Sequence, residues 1–156
     1  MGQAMKPQDL LADYLSRARV MQLASSQDNK PYVVNVHYYA DPAGNLYWIS
    51  TRERRHSQEL EANPSACVVI KVHEDTPQEQ WIVGLSIEGT VEYIGEDPGD
   101  EVFEGYKSKL GKPDQLMNDV RSGTNPHKFY KLTPTTYTLF DTKNFKDDPK
   151  QTWDNE

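Results

Sequence analysis

The chain reads as a mainly β protein, a compact antiparallel barrel of six strands with small helices at its periphery. Three features lead there. Apolar residues alternate with a period of two over several short runs, turn residues separate most of those runs, and amphipathic helical stretches lie between strands. The first links between strands are too short for the crossovers that parallel neighbours need, which disfavours a parallel α/β sheet.

The elements follow in order. Residues Pro7 to Ala18 place Leu10, Leu11, Tyr14, Leu15 and Ala18 at helical spacing, with Pro7 suited to a first turn. The period then becomes two. Val20 to Ala24, a turn at Ser26-Gln27-Asp28-Asn29, and Pro31 to Tyr39 form a β-hairpin, with Val34, Val36 and Tyr38 on one face and Asn35 and His37 on the other. Asp41-Pro42-Ala43-Gly44-Asn45 is turn chemistry, and Leu46 to Ile49 reads as the third strand. A short helix is expected over Thr51 to Ala62, closed by Asn63-Pro64, before a fourth strand at Ser65 to Lys71.

Gln80 to Ile94 holds the longest alternation, with Trp81, Val83, Leu85, Ile87, Val91 and Tyr93 on one side and polar residues on the other. Gly84 and Gly89 interrupt it and are expected to mark bulges, sharp bends or close approach by another backbone, where a long strand curls to close the sheet. A helix spans about Glu101 to Leu110, and Leu116, Met117 and Val120 suggest a second piece. Phe129 to Phe140 supplies the sixth strand, bent at Pro134. The polar tail 141–156 carries Phe145 and Trp153, which are expected to dock on the barrel or on a partner subunit.

At 156 residues the chain is expected to be a single domain spanning 1–156. Its 17 Lys and Arg against 24 Asp and Glu leave a net charge of -7, which argues against nucleic acid as a partner. The single cysteine, Cys67, lies in the apolar run Ala66 to Ile70 and is expected in the core, with no internal disulfide. No stretch approaches a membrane span and the start lacks a secretory signal, so no membrane partner and a cytoplasmic location are expected. His37, His56, His73 and His127 have no ligand spacing, so no metal site is expected. Trp48 and Trp81 suit barrel packing, or the walls of a ring-binding cleft.

Charge is out of character in one place. Ser50-Thr51-Arg52-Glu53-Arg54-Arg55-His56-Ser57 puts three arginines and a histidine within five positions where a strand ends and a helix begins. Ser50 with Glu53 fits a capping box. Arginines in a first turn oppose the helix dipole by roughly 0.3–1 kcal/mol each unless an anion lies among them. Free amides, the hydroxyls of Ser50 and Thr51, and the guanidinium of Arg55 with Arg52 or Arg54 would make a phosphate cradle. The bland alternative is a solvated basic face paired with Glu53 and Glu59. Neither GxxxxGK[ST] nor GxGxxG occurs.

Three blocks resemble the pyridoxamine 5′-phosphate oxidase-like, FMN-binding split-barrel proteins: the hairpin Val20 to Val36, the segment Leu46 to Pro64, and the strand Leu85 to Val91, with Phe129 to Pro134 similar to the family's last strand. The likeness runs over most of residues 8 to 141. It implies a six-stranded antiparallel Greek-key split barrel and FMN as cofactor. It implies that Ser50 or Thr51, Arg55 and His56 hold the phosphate, His56 standing where the oxidases have lysine. By the same resemblance the flavin ring lies against Asn35, Val36 and His37, with Ile49 flanking it. The resemblance further implies a homodimer with the cofactor at its interface and an FMN-dependent oxidoreductase acting on a small molecule or a reduced nicotinamide donor. The alternative within the same fold is a non-catalytic flavin- or haem-binding module, and no acid, base or nucleophile is recognisable beyond the flavin. Gly84 and Ser86 stand where the oxidases carry Gln and Arg, and the oxidases' C-terminal arginine and tryptophan have no counterpart, so pyridoxamine phosphate is not the implied substrate.

Overall fold

A computed structural model describes residues 4–156. A 3-10 turn at Pro7–Leu10 runs into α1 (Leu11–Arg17). Next come β1 (Val20–Gln27), β2 (Lys30–His37), a two-residue β3 (Tyr39–Ala40), β4 (Leu46–Ser50), α2 (Arg55–Ala62) and β5 (Ser65–Lys71). The long β6 (Val83–Gly95), α3 (Asp100–Leu110), α4 (Asp114–Ser122), β7 (Lys128–Asp141) and β8 (Lys150–Asp154) complete the chain. All six expected strands are present, and β3 and β8 are added to them.

The strands form one antiparallel sheet in the order β2-β1-β5-β6-β7-β4-β3, with β8 against β7. The order returns to β4 and β3 only after β7, so the sheet curls around a core. β2 and β3, consecutive in the chain, are the two unpaired ends of the ladder, and the barrel is therefore split rather than closed. The β1–β2 hairpin turns on Asp28 and Asn29, at φ 54° and 61°. Two such residues make a tight turn whose twist suits the flanking strands, and short polar side chains tolerate it.

β6 and β7 form the longest ladder, and their register shifts where Glu88 faces Thr136 but Gly89 faces Pro134. Thr135 is the extra residue of this bulge, and its hydroxyl donates to Glu88 O at 3.1 Å. Gly89 is required there, because a Cβ would run into the Thr133 carbonyl and the Leu132 side chain. Gly84 behaves differently from expectation: it pairs in regular register with Phe140 and marks no bulge. The bend also divides β7, which pairs with β4 before Pro134 and with β8 after it.

Inward residues of the strands bury one core containing Met21, Leu23, Trp48, Ile70, Leu85, Ile87, Leu132 and Tyr137. Trp48 is fully buried and stacked on Tyr130, so it packs the barrel. Trp81 is half-buried and stacks on His73. A second cluster docks α3 and α4 on the sheet through Phe103, Tyr106, Leu110, Met117, Val120 and Phe129. In the tail Trp153 stacks on Tyr137 at 5.3 Å and Phe145 packs on the main core, so the tail docks on the barrel. Cys67 corrects a core expectation: alternation with buried Val68 turns it outward and leaves it half-buried.

Candidate functional site

β4 delivers Ser50 to one corner of the split barrel. Thr51 to Arg54 form a turn, with Arg54 N–H donating to Thr51 O at 3.3 Å. The helix therefore starts at Arg55, four residues later than expected, and no side chain caps it. The Ser50–Glu53 capping box is absent for that reason. Ser50 Oγ instead lies 2.9 Å from His56 Nε2, both residues buried. The first N–H groups of a helix lack intrahelical acceptors, so hydroxyl, imidazole and backbone donors share the corner. Ser57, third in the helix, has a buried hydroxyl beside that of Tyr130, and the two have no well-formed hydrogen bond to any group other than each other. This donor-rich set fits an oxyanion, because buried donors without acceptors each cost about 1–3 kcal/mol.

The three arginines take different roles. Arg52 pairs with Glu61 at 2.6 Å and covers the Tyr93 ring. Arg55 Nε donates to Glu59 at 2.6 Å, its guanidinium lies over Tyr32, and its side chain is still 52% exposed. Buried Glu59 also accepts from Ser25 Oγ, which fastens α2 to β1. Pairing of the cluster with acids is thus real, although Glu61 takes the place expected of Glu53. Arg54 has no carboxylate partner among the described residues.

Arg54 opens a track of basic groups. Burial first, and Arg54 second, hold His56 below its ordinary pKa. His127 is lowered by burial, then by Arg54 and Lys112. His37 is lowered by burial, then by Lys112 and Arg19, and its Nδ1 lies 3.0 Å from Lys112 Nζ. Mutual charge influence thus links His56, Arg54, His127, Lys112, His37 and Arg19, none with a carboxylate ion pair among the described residues. In a chain of net charge -7 that is a local reversal of sign. Three of the four histidines scattered in sequence meet here, while His73 lies apart against Trp81. Lys112 carries no motif in sequence, where it is a lone cation between two helical stretches at Gly111-Lys112-Pro113.

β2 supplies an open edge beside the track. Tyr38 N–H donates to Arg19 O at 3.1 Å. Hydrogen-bonded pairs alternate along an antiparallel ladder, so Val36 turns its peptide toward Met21, and Asn35 and His37 turn theirs off the free edge. The Val36 side chain packs on the core. The Asn35 side chain is exposed and accepts from Gln22 Nε2 at 2.7 Å. Ile49 is half-buried one residue before Ser50, against the α3 and α4 cluster.

Comparison with known proteins agrees with this architecture. The family described as pyridoxamine 5′-phosphate oxidase matches residues 8–141. Among solved structures, a FAD-binding protein from Mesorhizobium loti is 19% identical, with a TM-score of 0.61, covering 88% of this chain and 95% of its own. HutZ, a haem storage protein from Vibrio cholerae, is 16% identical with a TM-score of 0.65, covering 83% and 91%. A haem-binding protein from Mycobacterium smegmatis is 13% identical with a TM-score of 0.71, covering 98% of this chain and 60% of its own. No curated protein matches. With a split barrel whose strand order, bulge and basic strand-to-helix corner lie within the matched residues, the chain belongs to the pyridoxamine 5′-phosphate oxidase family.

Proposed function

We propose that this protein binds FMN and uses it as a flavin-dependent oxidoreductase on a small molecule, with a reduced nicotinamide as electron donor. The observation that carries the reading is the uncapped start of α2, where the buried Ser50–His56 pair lies beside Arg54, which has no carboxylate partner among the described residues. The phosphate lies against Ser50, Thr51, Arg54 and His56, with Arg55 reaching it by the part of its fork that Glu59 does not use. The phosphate dianion offsets the charge of Arg54, which has no carboxylate partner of its own among the described residues. Asn35 and His37 meet the polar edge of the flavin ring along the open edge of β2, Val36 holds that strand to β1, and Ile49 flanks the ring.

Bound flavin supplies hydride chemistry, which the protein orients and tunes. The cations along the track favour negative charge at the ring's polar edge. Burial first, and the adjacent Lys112 second, favour neutral His37, whose Nδ1 accepts from Lys112 and whose other ring nitrogen is left to hydrogen-bond the flavin edge. The exposed Val33 and Val69 lie on the outward side of β2 and β5 and suit a homodimer interface enclosing the cofactor.

A second reading, a flavin- or haem-binding module without turnover, draws support from the haem-binding and haem-storage neighbours of the same fold. The absorbance spectrum of freshly purified protein tests both. Flavin bands that bleach under NADH or NADPH without oxygen support the oxidoreductase. Flavin that no donor reduces, or a haem band, supports the binding module.

A further inference from the structure

Apart from that site, a cavity of about 520 Å³ opens between α1 and the turn that joins β3 to β4. Leu11, Ala12 and Leu15 form one wall, Tyr39 and Pro42 another, and Lys109 of α3 the end. Its size and apolar walls are those of small-molecule sites. The Tyr39 wall depends on Gly105, where a Cβ would run into the Tyr39 ring, so α3 approaches closely and brings Lys109 with it.

Lys109 is a cation without a counter-ion. Its Nζ donates to Leu15 O at 3.2 Å and stands 3.7 Å from the centroid of the buried Tyr38 ring. No carboxylate pairs with it among the described residues, and the charged neighbour that acts on it is Arg19, of like sign. Arg19 is itself spent on the carbonyls of Lys109 and Leu110 at the end of α3. Burial, then Arg19, lower the Lys109 pKa to about 8. A half-buried amine beside apolar walls gains from a partner anion. Asp41, the carboxylate in the wall, is engaged with Asn45 and Tyr47 and disfavours a second negative group. The walls therefore suit one negative head on a hydrocarbon body.

We propose that this cavity binds a small amphipathic monocarboxylate, its head on Lys109 Nζ and its apolar body between α1 and Tyr39. The site is independent of the flavin reading. Calorimetric titration of the full chain with octanoate and with octan-1-ol tests it. Octanoate is expected to bind about tenfold more tightly than the alcohol, a difference of about 1.4 kcal/mol. Lys109→Met should bring the two to parity, and Ala12→Phe, which fills the cavity away from the amine, should abolish both. Saturating octanoate should also move the Lys109 amine titration upward in NMR of the native chain, whereas octan-1-ol should not. No octanoate binding, a preference that survives Lys109→Met, or an unmoved titration would overturn the assignment, the last even if the Lys109 variant fails to fold.

Discussion

At the scale of single residues, Arg52, Arg54 and Arg55 are alike in sequence and unlike in surroundings. Two of them face helical acids, and Arg54 faces His56 and His127. Arg54→Ala is therefore expected to weaken FMN by about tenfold or more, the size of a lost charge-assisted hydrogen bond of about 1.5–3 kcal/mol, and to leave riboflavin unchanged. Fluorescence titration with both ligands reads this. The histidines predict a pH dependence. His37, His56 and His127 all titrate below 6.5 in the folded chain, so the unfolded chain takes up protons first as pH falls. Their contribution to stability is full above that value and declines below it. Without ligand the melting midpoint should drop between pH 7.5 and 5.5, and FMN should shrink the drop by favouring the protonated imidazoles. A midpoint flat over that range would refute the burial of these rings. Ser50 and His56 were legible in sequence because a strand end and a following helix place them together. Lys112 and His127 were not, because α3 and α4 bring them in from remote stretches.

Among the elements, glycine shows how far a local signal reaches. Gly84 and Gly89 look equivalent in sequence, yet only Gly89 meets another backbone. Gly89→Ala is expected to cost about 1–3 kcal/mol through forced displacement of the Thr133 carbonyl and Leu132. Gly84→Ala should stay within about 0.5 kcal/mol, as nothing lies within 4 Å of its added carbon. Urea denaturation of the two variants reads the contrast, and equal losses would count against the bulge. Period-two alternation exposed the six main strands. It could not expose β3, which has two residues, or β8, whose alternating Gln151 and Trp153 are too few to stand out in a polar tail. The start of α2 moved from Thr51 to Arg55 because residues 51–54 close a turn first. That displacement decides which arginine is left without an acid.

For the whole molecule, composition foretold an acidic chain, and topology brings Lys112, between α3 and α4, to His37 at the end of β2. Which outer face meets a partner was not legible, since exposure depends on register: Val69 pairs with Gln22 and Ser86 and is 42% exposed. In the homodimer proposed above, Val69→Glu places a charge in the interface and should shift sedimentation toward monomer and weaken FMN together, with the monomer still folded. The central claim, a site built for a flavin carrying a terminal phosphate, is tested most directly by the ratio of riboflavin to FMN dissociation constants in the native protein. The predicted result is FMN tighter by about a hundredfold, near 2.7 kcal/mol, with the gap narrowing as salt is raised. Equal affinities at low salt would contradict it.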